Sequence, residues 1–294
     1  MTFIPIVADS CCDMTDELKE RLGVVTVPFG MDLGDTQYKD DAALNLPKFK
    51  EAMAKWHGRI GSAAPSPHSF YEAFKKTGAA FCLTISGKLS ATNENAHLAA
   101  ELLEADRESA GKATPPSSSD ADCGKRIHIV DSLSASAGET LVAIKLRQLI
   151  DARFSELVIL QRIEQFIHGM KTYFVLENID NLLKNGRLNR VAGTLTSLLH
   201  IKPLLGSDGQ GQIKLFGQTR SRKQTINKLV NTIAHSGRAT TGEHLVISHC
   251  DNPSLAEELA ERIRGLYDFA EIVIVPTGGL SSVYADQEGV VIAY

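Results

Sequence analysis

The sequence predicts an α/β protein of two domains, and three features of the chain support this prediction. Short apolar runs alternate with amphipathic segments, which is the pattern of strands and helices that follow one another. The alternation continues along all 294 residues, 43% of which are hydrophobic, so the chain can bury the cores of two domains. A Pro/Ser-rich stretch without periodicity, residues 110–124, interrupts the pattern and predicts a mobile surface loop.

The first half of the chain predicts a mostly parallel sheet flanked by helices, because strand and helix segments alternate there. Thr15 is placed to cap a helix that Gly23 ends. Ser66 and Pro67 can start another helix, and Ser136 with Glu139 has the spacing of a capping box. The predicted strands are 4–8, 24–28, 80–85 and 126–130, with a polar loop after the second, and the predicted helices are 15–23, 46–55, 66–76, 92–105 and 140–153.

The second half predicts a second α/β domain with a mixed sheet. A Gly/Asp-rich turn at 207–211 separates two apolar runs, which is typical of a hairpin. The predicted helices are 156–169, 178–184, 189–200, 223–234 and 254–266, and the predicted strands are 172–176, 201–205, 212–217, 245–249, 272–275 and 290–294. The two domains are therefore predicted to be 1–152 and 153–294, with the boundary placed only to within about ten residues.

Composition excludes several classes of protein. The net charge of −4 gives no basic field for nucleic acid. The chain shows neither a secretory signal nor a run of about 20 apolar residues that could span a bilayer. Its five cysteines have no CxxC or zinc-like spacing, and the adjacent Cys11 and Cys12 are expected to be small buried side chains. We therefore expect a reduced cytoplasmic protein with neither a metal nor a cofactor.

Residues 83–96 (LTISGKLSATNENA) are the most informative segment for function. They predict a strand, a turn rich in hydroxyl groups and the start of a helix. Such a turn presents hydroxyls and free backbone N–H groups at one point, which suits an anion. From the residues alone, an ordinary helix cap explains Ser90 and Thr92 equally well.

A set of motifs in order along the chain resembles the DegV family. The motifs are IVADSCCDM at 6–14, VTVPFGM at 25–31, SAAPSPHSF at 62–70, ISGKLSAT at 85–92, IHIVDSLSASAG at 127–138, a long segment at 178–205 and GQTRSRKQTINKL at 217–229. The resemblance implies a DegV-like fold of two α/β domains with a long-chain fatty acid bound between them. It also implies that the chain could serve as the acyl-presenting subunit of a bacterial fatty acid kinase.

The resemblance also implies which residues hold the head group of the ligand. The carboxylate-binding hydroxyls of the family fall at Ser62, where members usually have threonine, and at Ser90, with the N–H groups near Thr92 beside them. A family glycine is Ala91 here. The family's arginine in its Gly-Arg-Ile/Leu motif falls at Arg187.

The C-terminal segment departs from the family pattern. Many members have a His-x-Gly-Pro-Gly stretch where this chain has ADQEG at 285–289, so the histidine that could help to hold the head group is absent. Tyr284 is the nearby polar side chain that we expect to replace it.

Two other functions are compatible with parts of the sequence. A serine hydrolase acting on acyl esters would use Ser90 as its nucleophile, but the segment around Ser90 lacks the G-x-S-x-G pattern. A nucleotide-binding transferase would need a phosphate loop, and neither common glycine-rich motif is present. We therefore expect a fatty-acid-binding protein without catalytic activity of its own.

Overall fold

The structure is a computed structural model that describes residues 4–77, 81–111, 127–188 and 201–294. The predicted helix 189–200 and residues 112–124 of the predicted loop lie outside the described residues. Residues 110 and 111, which were assigned to that loop, are instead the end of a helix.

The first large sheet is parallel throughout, as the alternation of strands and helices predicted. Its strand order is β2-β1-β6-β7. Because all four strands run the same way, their carboxyl ends and the turns that follow them lie at one edge of the sheet. The strands are β1 (Ile6–Asp9), β2 (Val24–Val27), β6 (Phe81–Thr84) and β7 (His128–Asp131).

Two strands of a small antiparallel sheet lie where the sequence predicted a polar loop, and the third lies after the helix that follows that loop. The order of this sheet is β4-β3-β5, with β3 at Gly30–Leu33, β4 at Thr36–Lys39 and β5 at Ile60–Ala63. Each strand has only four residues, and β4 is largely exposed, so periodicity gives almost no signal. This sheet places Ser62 opposite Met31.

The second large sheet is mixed, as predicted, with the order β10-β9-β8-β13-β11-β12. The last two strands in this order, β11 and β12, run parallel, and the other neighbours are antiparallel. The hairpin predicted around 207–211 joins β9 to β10. The strands are β8 (Thr172–Val175), β9 (Lys202–Ser207), β10 (Ile213–Thr219), β11 (His244–His249), β12 (Glu271–Pro276) and β13 (Val290–Ala293).

The helices cover these sheets, and their bounds mostly follow the prediction. Thr15 Oγ1 accepts the Leu18 N–H at 3.2 Å, and Gly23 ends the first helix at φ 64°, both as predicted. The helices are α1 (Asp16–Leu22), α2 (Leu46–Lys55), α3 (Pro67–Thr77), α4 (Thr92–Gly111), α5 (Ala137–Asp151), α6 (Glu156–Gly169), α7 (Asp180–Lys184), α8 (Arg222–Ser236), α9 (Pro253–Arg264) and α10 (Gly279–Ala285). None of the described helices has the length and hydropathy needed to cross a bilayer.

Helix α5 joins the two large sheets into one core. It packs on β6 of the first sheet and on β11 and β13 of the second. Leu141 and Leu146 belong to the same buried cluster as Leu83 from the first sheet and Val246 and Val291 from the second. The predicted domain boundary at 152 falls just after this shared helix, and it stays a prediction.

The predicted capping box at the start of α5 is wrong. Ser136 has φ 55°, and its hydroxyl donates to the carboxylate of Asp13, 123 residues away, so it makes no cap. Both carboxylate oxygens of Glu139 are buried without a hydrogen-bond partner. The long-range hydrogen bond from Ser136 to Asp13 has therefore formed in place of the predicted capping box.

Helix α10 was not predicted, and it brings the C-terminal part of the chain onto the N-terminal part. Asp13 accepts the N–H of Gly278, and Asp40 accepts those of Gly279 and Leu280, at 2.8–2.9 Å. These acceptors satisfy three of the free N–H groups at the helix start and favour its dipole. This helix carries Tyr284.

Candidate ligand-binding cavity

A cavity of about 900 Å³, including the part that opens to solvent, lies between the two halves of the chain. Most of its walls are apolar. The apolar lining includes Phe29, Ile85 and Leu89 from the first half and Phe174, Leu176, Leu182, Ile213, Leu280 and Val291 from the second.

Two of the predicted site residues meet on one wall of this cavity. Ser62 lies on β5 and Tyr284 lies on α10, and their hydroxyl oxygens are 2.7 Å apart. Both side chains are half-buried. Because either hydroxyl can donate to the other, one O–H remains available for a ligand. Tyr284 therefore lines the cavity beside Ser62, and its replacement of the absent histidine stays a prediction.

The turn before α4 contributes Ser90 to the cavity but not the two residues that follow it, Ala91 and Thr92. Ser90 Oγ lies 2.7 Å from Thr92 Oγ1 and accepts the Thr92 N–H at 3.3 Å. Ser90 thus caps the helix and lines the cavity at the same time. Thr92 is fully buried and Ala91 is exposed, and neither forms part of the lining. A ligand contact by either residue stays a prediction that this geometry does not favour.

Arg187 brings the positive charge to the cavity. Its guanidinium donates from Nε to the Leu89 carbonyl at 3.2 Å and from Nη1 to the Asn185 carbonyl. Asn185 is itself fixed, because its amide donates to the Ile60 carbonyl and its Oδ1 accepts from Arg59. Arg187 is therefore an anchored, half-buried side chain and not a freely solvated one.

A polar opening adjoins the cavity next to Arg187. It shares Leu89, Arg187, Gln212 and Ile213 with the cavity and adds the exposed side chain of Lys88. Two cationic side chains thus line the same opening. Ser86 connects the turn to the hairpin here, because its hydroxyl donates to the Gly211 carbonyl at 2.8 Å.

Several further hydroxyl groups line the cavity that the sequence did not indicate as ligand-binding. Ser134 and Thr172 are 2.8 Å apart across the two halves, and Ser207 donates to the Leu133 carbonyl at 3.3 Å. No local pattern marks these residues, since they come together from separate strands and turns. Their hydroxyls are bonded within the protein, so they give a ligand fewer donors than their number suggests. The others are Ser136 and Ser281.

Buried acids hold the elements that form the cavity. Asp9 accepts the N–H groups of Cys11 and Ile85 at 2.9 and 2.8 Å, which fixes the ends of β1 and β6. Burial raises the pKa of Asp9 to about 7 and that of Asp13 to about 6, although hydrogen bonds lower both in part. Burial also raises the pKa of Asp40. These carboxyl groups carry protons at a higher pH than exposed ones do.

The fold and the cavity together define a class of protein. Two α/β halves share a helix and enclose a mainly apolar space that has hydroxyl groups and one arginine on its walls. This arrangement suits a molecule with an apolar chain and a polar end.

Comparison with known proteins identifies the family. Residues 3–294 match the DegV family, described as uncharacterised proteins, and the chain belongs to that family. A DegV domain-containing protein of Streptococcus pneumoniae is 31% identical over 291 residues, which cover 98% of each chain.

Solved structures show the same fold. The Streptococcus pneumoniae Fatty Acid Kinase (Fak) B3 protein, loaded with linoleic acid, is 30% identical, with a TM-score of 0.86 and coverage of 100% of this chain and 99% of that one. A DegV family protein from Ruminococcus gnavus with vaccenic acid is also 30% identical, with a TM-score of 0.86 and 99% coverage of both chains. The predicted fold class and family resemblance are thereby confirmed.

Proposed function

We propose that this protein binds a long-chain fatty acid in the cavity between its two halves and presents the carboxylate to a fatty acid kinase, without catalysis of its own. The observation that carries the proposal is the apolar cavity with hydroxyl groups and an arginine on its walls. The two relatives at 30% identity, which hold linoleic and vaccenic acid, support the ligand class.

The apolar walls provide the binding energy for the acyl chain. Burial of each methylene contributes roughly 0.8 kcal/mol, so about fourteen methylenes contribute on the order of 11 kcal/mol before the entropy of association is subtracted. Walls that include Phe174 and Val291 can receive such a chain.

The carboxylate needs donors, because a buried charge without partners costs several kcal/mol. Ser62, Tyr284 and Ser90 line the cavity with hydroxyl groups, and Arg187 adds the positive charge that hydroxyls lack. Thr92 acts through Ser90, whose position it fixes by two hydrogen bonds. In this proposal Tyr284 takes the place of the histidine found in many family members.

The polar opening supports presentation of the head group to a kinase. Lys88 and Arg187 line it, and together they can stabilise the additional charge of an acyl phosphate. The cavity shares Arg187 with this opening, so the carboxylate would stay close to the outside. A kinase could then reach it while the acyl chain remains buried.

The structure does not support the serine hydrolase. A nucleophilic serine needs a base within hydrogen-bond reach. The partner of Ser90 Oγ is Thr92, and the described residues place neither a histidine nor a carboxylate within hydrogen-bond distance of it. Ser90 is a donor and a helix cap in our proposal.

The cytoplasm is the compartment that we propose. In the part of the chain that the structure describes, the four cysteines are free and buried. Free thiols of this kind are typical of a reducing compartment.

Titration of lipid-free protein tests the binding proposal. We expect a saturated or unsaturated long-chain acid to bind with a stoichiometry of one, and the methyl ester of the same chain to bind more weakly, since the ester lacks the charge that Arg187 and the hydroxyls recognise. Equal affinity for acid and ester would contradict the head-group assignment. Failure to bind either would contradict the function.

A kinase assay tests the presentation proposal separately. With ATP and a streptococcal fatty acid kinase catalytic subunit, the protein loaded with fatty acid should yield acyl phosphate, whereas the loaded protein with ATP alone should yield none. Acyl phosphate formed without the kinase would show that the chain is itself an enzyme.

A further inference from the structure

A second cluster of polar side chains lies at the carboxyl end of β1, and the fatty acid proposal does not use it. A carboxylate oxygen of Asp9, the sulfur of Cys11 and a carboxylate oxygen of Glu139 lie within 4.8 Å of one another. All three residues are buried, with 0%, 3% and 0% of their surface exposed. The three candidate ligands are one thiol and two carboxylates.

Glu139 is the unexplained member of this cluster. Neither of its carboxylate oxygens has a hydrogen-bond partner, and Ser136, its expected partner in a capping box, bonds to Asp13 instead. Buried polar side chains almost always have partners, so two unpaired oxygens on one carboxyl group call for a missing one. The group points at Asp9 and Cys11.

The charges around Glu139 are of one sign. Burial raises its pKa well above the usual range, and the nearby carboxylates of Asp9, Asp13 and Asp131 raise it further. The described groups that shift the pKa of Asp9 are two backbone N–H donors and two further carboxylates, and none of them is a lysine or an arginine. A positive charge at this point would satisfy the whole cluster.

We propose that Asp9, Cys11 and Glu139 bind a divalent metal ion, for which Zn²⁺ is the best match. Zinc accepts thiolate and carboxylate ligands together, at about 2.3 and 2.0–2.2 Å, whereas Mg²⁺ and Ca²⁺ prefer sets made only of oxygen. Cys11 would bind as the thiolate and Glu139 as the carboxylate, and both would release their protons to solvent. Three protein ligands leave the fourth tetrahedral position for water.

Two of the three ligands are already held in place. The Cys11 N–H donates to one oxygen of Asp9 and the Ile85 N–H donates to the other, so the turn fixes both residues. The carboxylate of Glu139 has no hydrogen bond to hold it, and metal coordination at these bond lengths requires the ligand atoms to approach one another by about 1 Å. Cys11 also lines the cavity, which gives the ion a route to the site.

The sequence could not indicate this site by spacing. Asp9 and Cys11 are two residues apart, but Glu139 comes from a helix more than a hundred residues later. The expectation of no metal rested on the spacing of ligand-type residues along the chain, and spacing cannot show a site whose ligands come from distant segments.

Cobalt titration of the lipid-free, EDTA-treated protein tests this proposal. We expect one Co²⁺ per chain with a thiolate-to-cobalt charge-transfer band, displaced by Zn²⁺. Glu139→Gln and Cys11→Ser should each lower the affinity at least tenfold, and Cys11→Ser should abolish the band. Cys250→Ser is the matched control, because Cys250 is another buried free cysteine in a different cluster and should not affect the band.

The variants separate loss of metal binding from loss of folding. Glu139→Gln replaces a buried acid by a neutral group of the same shape, so it should fold as the unmodified protein does, and thermal unfolding in EDTA checks this. If Cys11→Ser fails to fold, the affinity of Glu139→Gln decides. The proposal is overturned if the protein takes up no metal, if Glu139→Gln binds as tightly as the unmodified protein, or if the charge-transfer band persists in Cys11→Ser.

Discussion

Substitution of Tyr284 by phenylalanine tests the head-group site most sharply. The change removes one oxygen, which lies 2.7 Å from Ser62 Oγ, and keeps the aromatic ring in the cavity wall. A hydrogen bond to a charged group contributes about 1.5–3 kcal/mol, and each 1.4 kcal/mol is a factor of ten in affinity. Tyr284→Phe should therefore weaken fatty acid binding by about 10- to 150-fold.

The assay is calorimetric or fluorescence titration of lipid-free protein with one long-chain acid. Ser62→Ala should produce a loss of similar size. The double variant should lose less than the sum of the two, because the two hydroxyls bond to each other and act together on the ligand.

Tyr267→Phe is the matched control for this experiment. Its hydroxyl also makes one hydrogen bond, to the Val230 carbonyl at 3.2 Å, but the residue does not line the cavity. It should leave the affinity unchanged. If Tyr284→Phe lowers the melting temperature and leaves the affinity within twofold of the unmodified protein, the pair is only structural and our reasoning is refuted.

Three other predictions follow from the same structure. Ser90→Ala removes a cavity hydroxyl and the cap of α4. The affinity for fatty acid should fall about tenfold or more by titration, and the free energy of unfolding in urea should fall by about 0.5–2 kcal/mol. Unchanged affinity would place the head group elsewhere. Val291→Phe adds bulk to the cavity wall, so the longest acids should lose more affinity than short ones, and equal losses at all lengths would contradict the position of the acyl chain. Asp9 and Asp13 have pKa values raised from 3.8 to about 7 and about 6, so the folded state holds protons that the unfolded chain has already lost at these pH values. In EDTA, which keeps Asp9 free of metal, the free energy of unfolding should therefore fall by several kcal/mol as the pH rises from about 4 to about 7, at about 1.4 kcal/mol per pKa unit. A rise in urea titrations over this range would contradict the assignment.

Local signals in the sequence predicted much of the fold. The alternation of apolar and amphipathic segments predicted the parallel sheet, and Thr15 and Gly23 marked the ends of α1 through their own hydrogen bond and backbone angle. The hairpin between β9 and β10 followed from its glycine-rich turn. These features depend on residues close together in the chain, so a pattern in the sequence can show them.

Features set by distant contacts could not be predicted in this way. The carboxylate of Asp13 accepts a hydrogen bond from the hydroxyl of Ser136, 123 residues away in the chain. Ser136 therefore does not form the capping box that its spacing from Glu139 predicted. Asp13 and Asp40 also hold the start of α10, a short helix with two glycines before its apolar residues. The small sheet that carries Ser62 has strands too short and too polar to recognise.

The candidate site also combines residues that local sequence patterns indicate with contacts that only the folded chain shows. The hydroxyl-rich turn indicated Ser90 from the residues themselves, while Ser62 and Arg187 were indicated only by the family resemblance. The bond between Ser62 and Tyr284 joins residues 222 positions apart, so only the folded chain shows it. Ala91 was indicated because the family's glycine falls there, but its side chain is exposed.

The measurement that tests the central claim most directly is native mass spectrometry of the protein as purified, followed by lipid extraction. We predict one long-chain fatty acid per chain, retained by the unmodified protein and reduced in Tyr284→Phe. Protein that is reproducibly free of lipid, and that stays free when incubated with long-chain acids, would contradict the claim that this cavity binds a fatty acid.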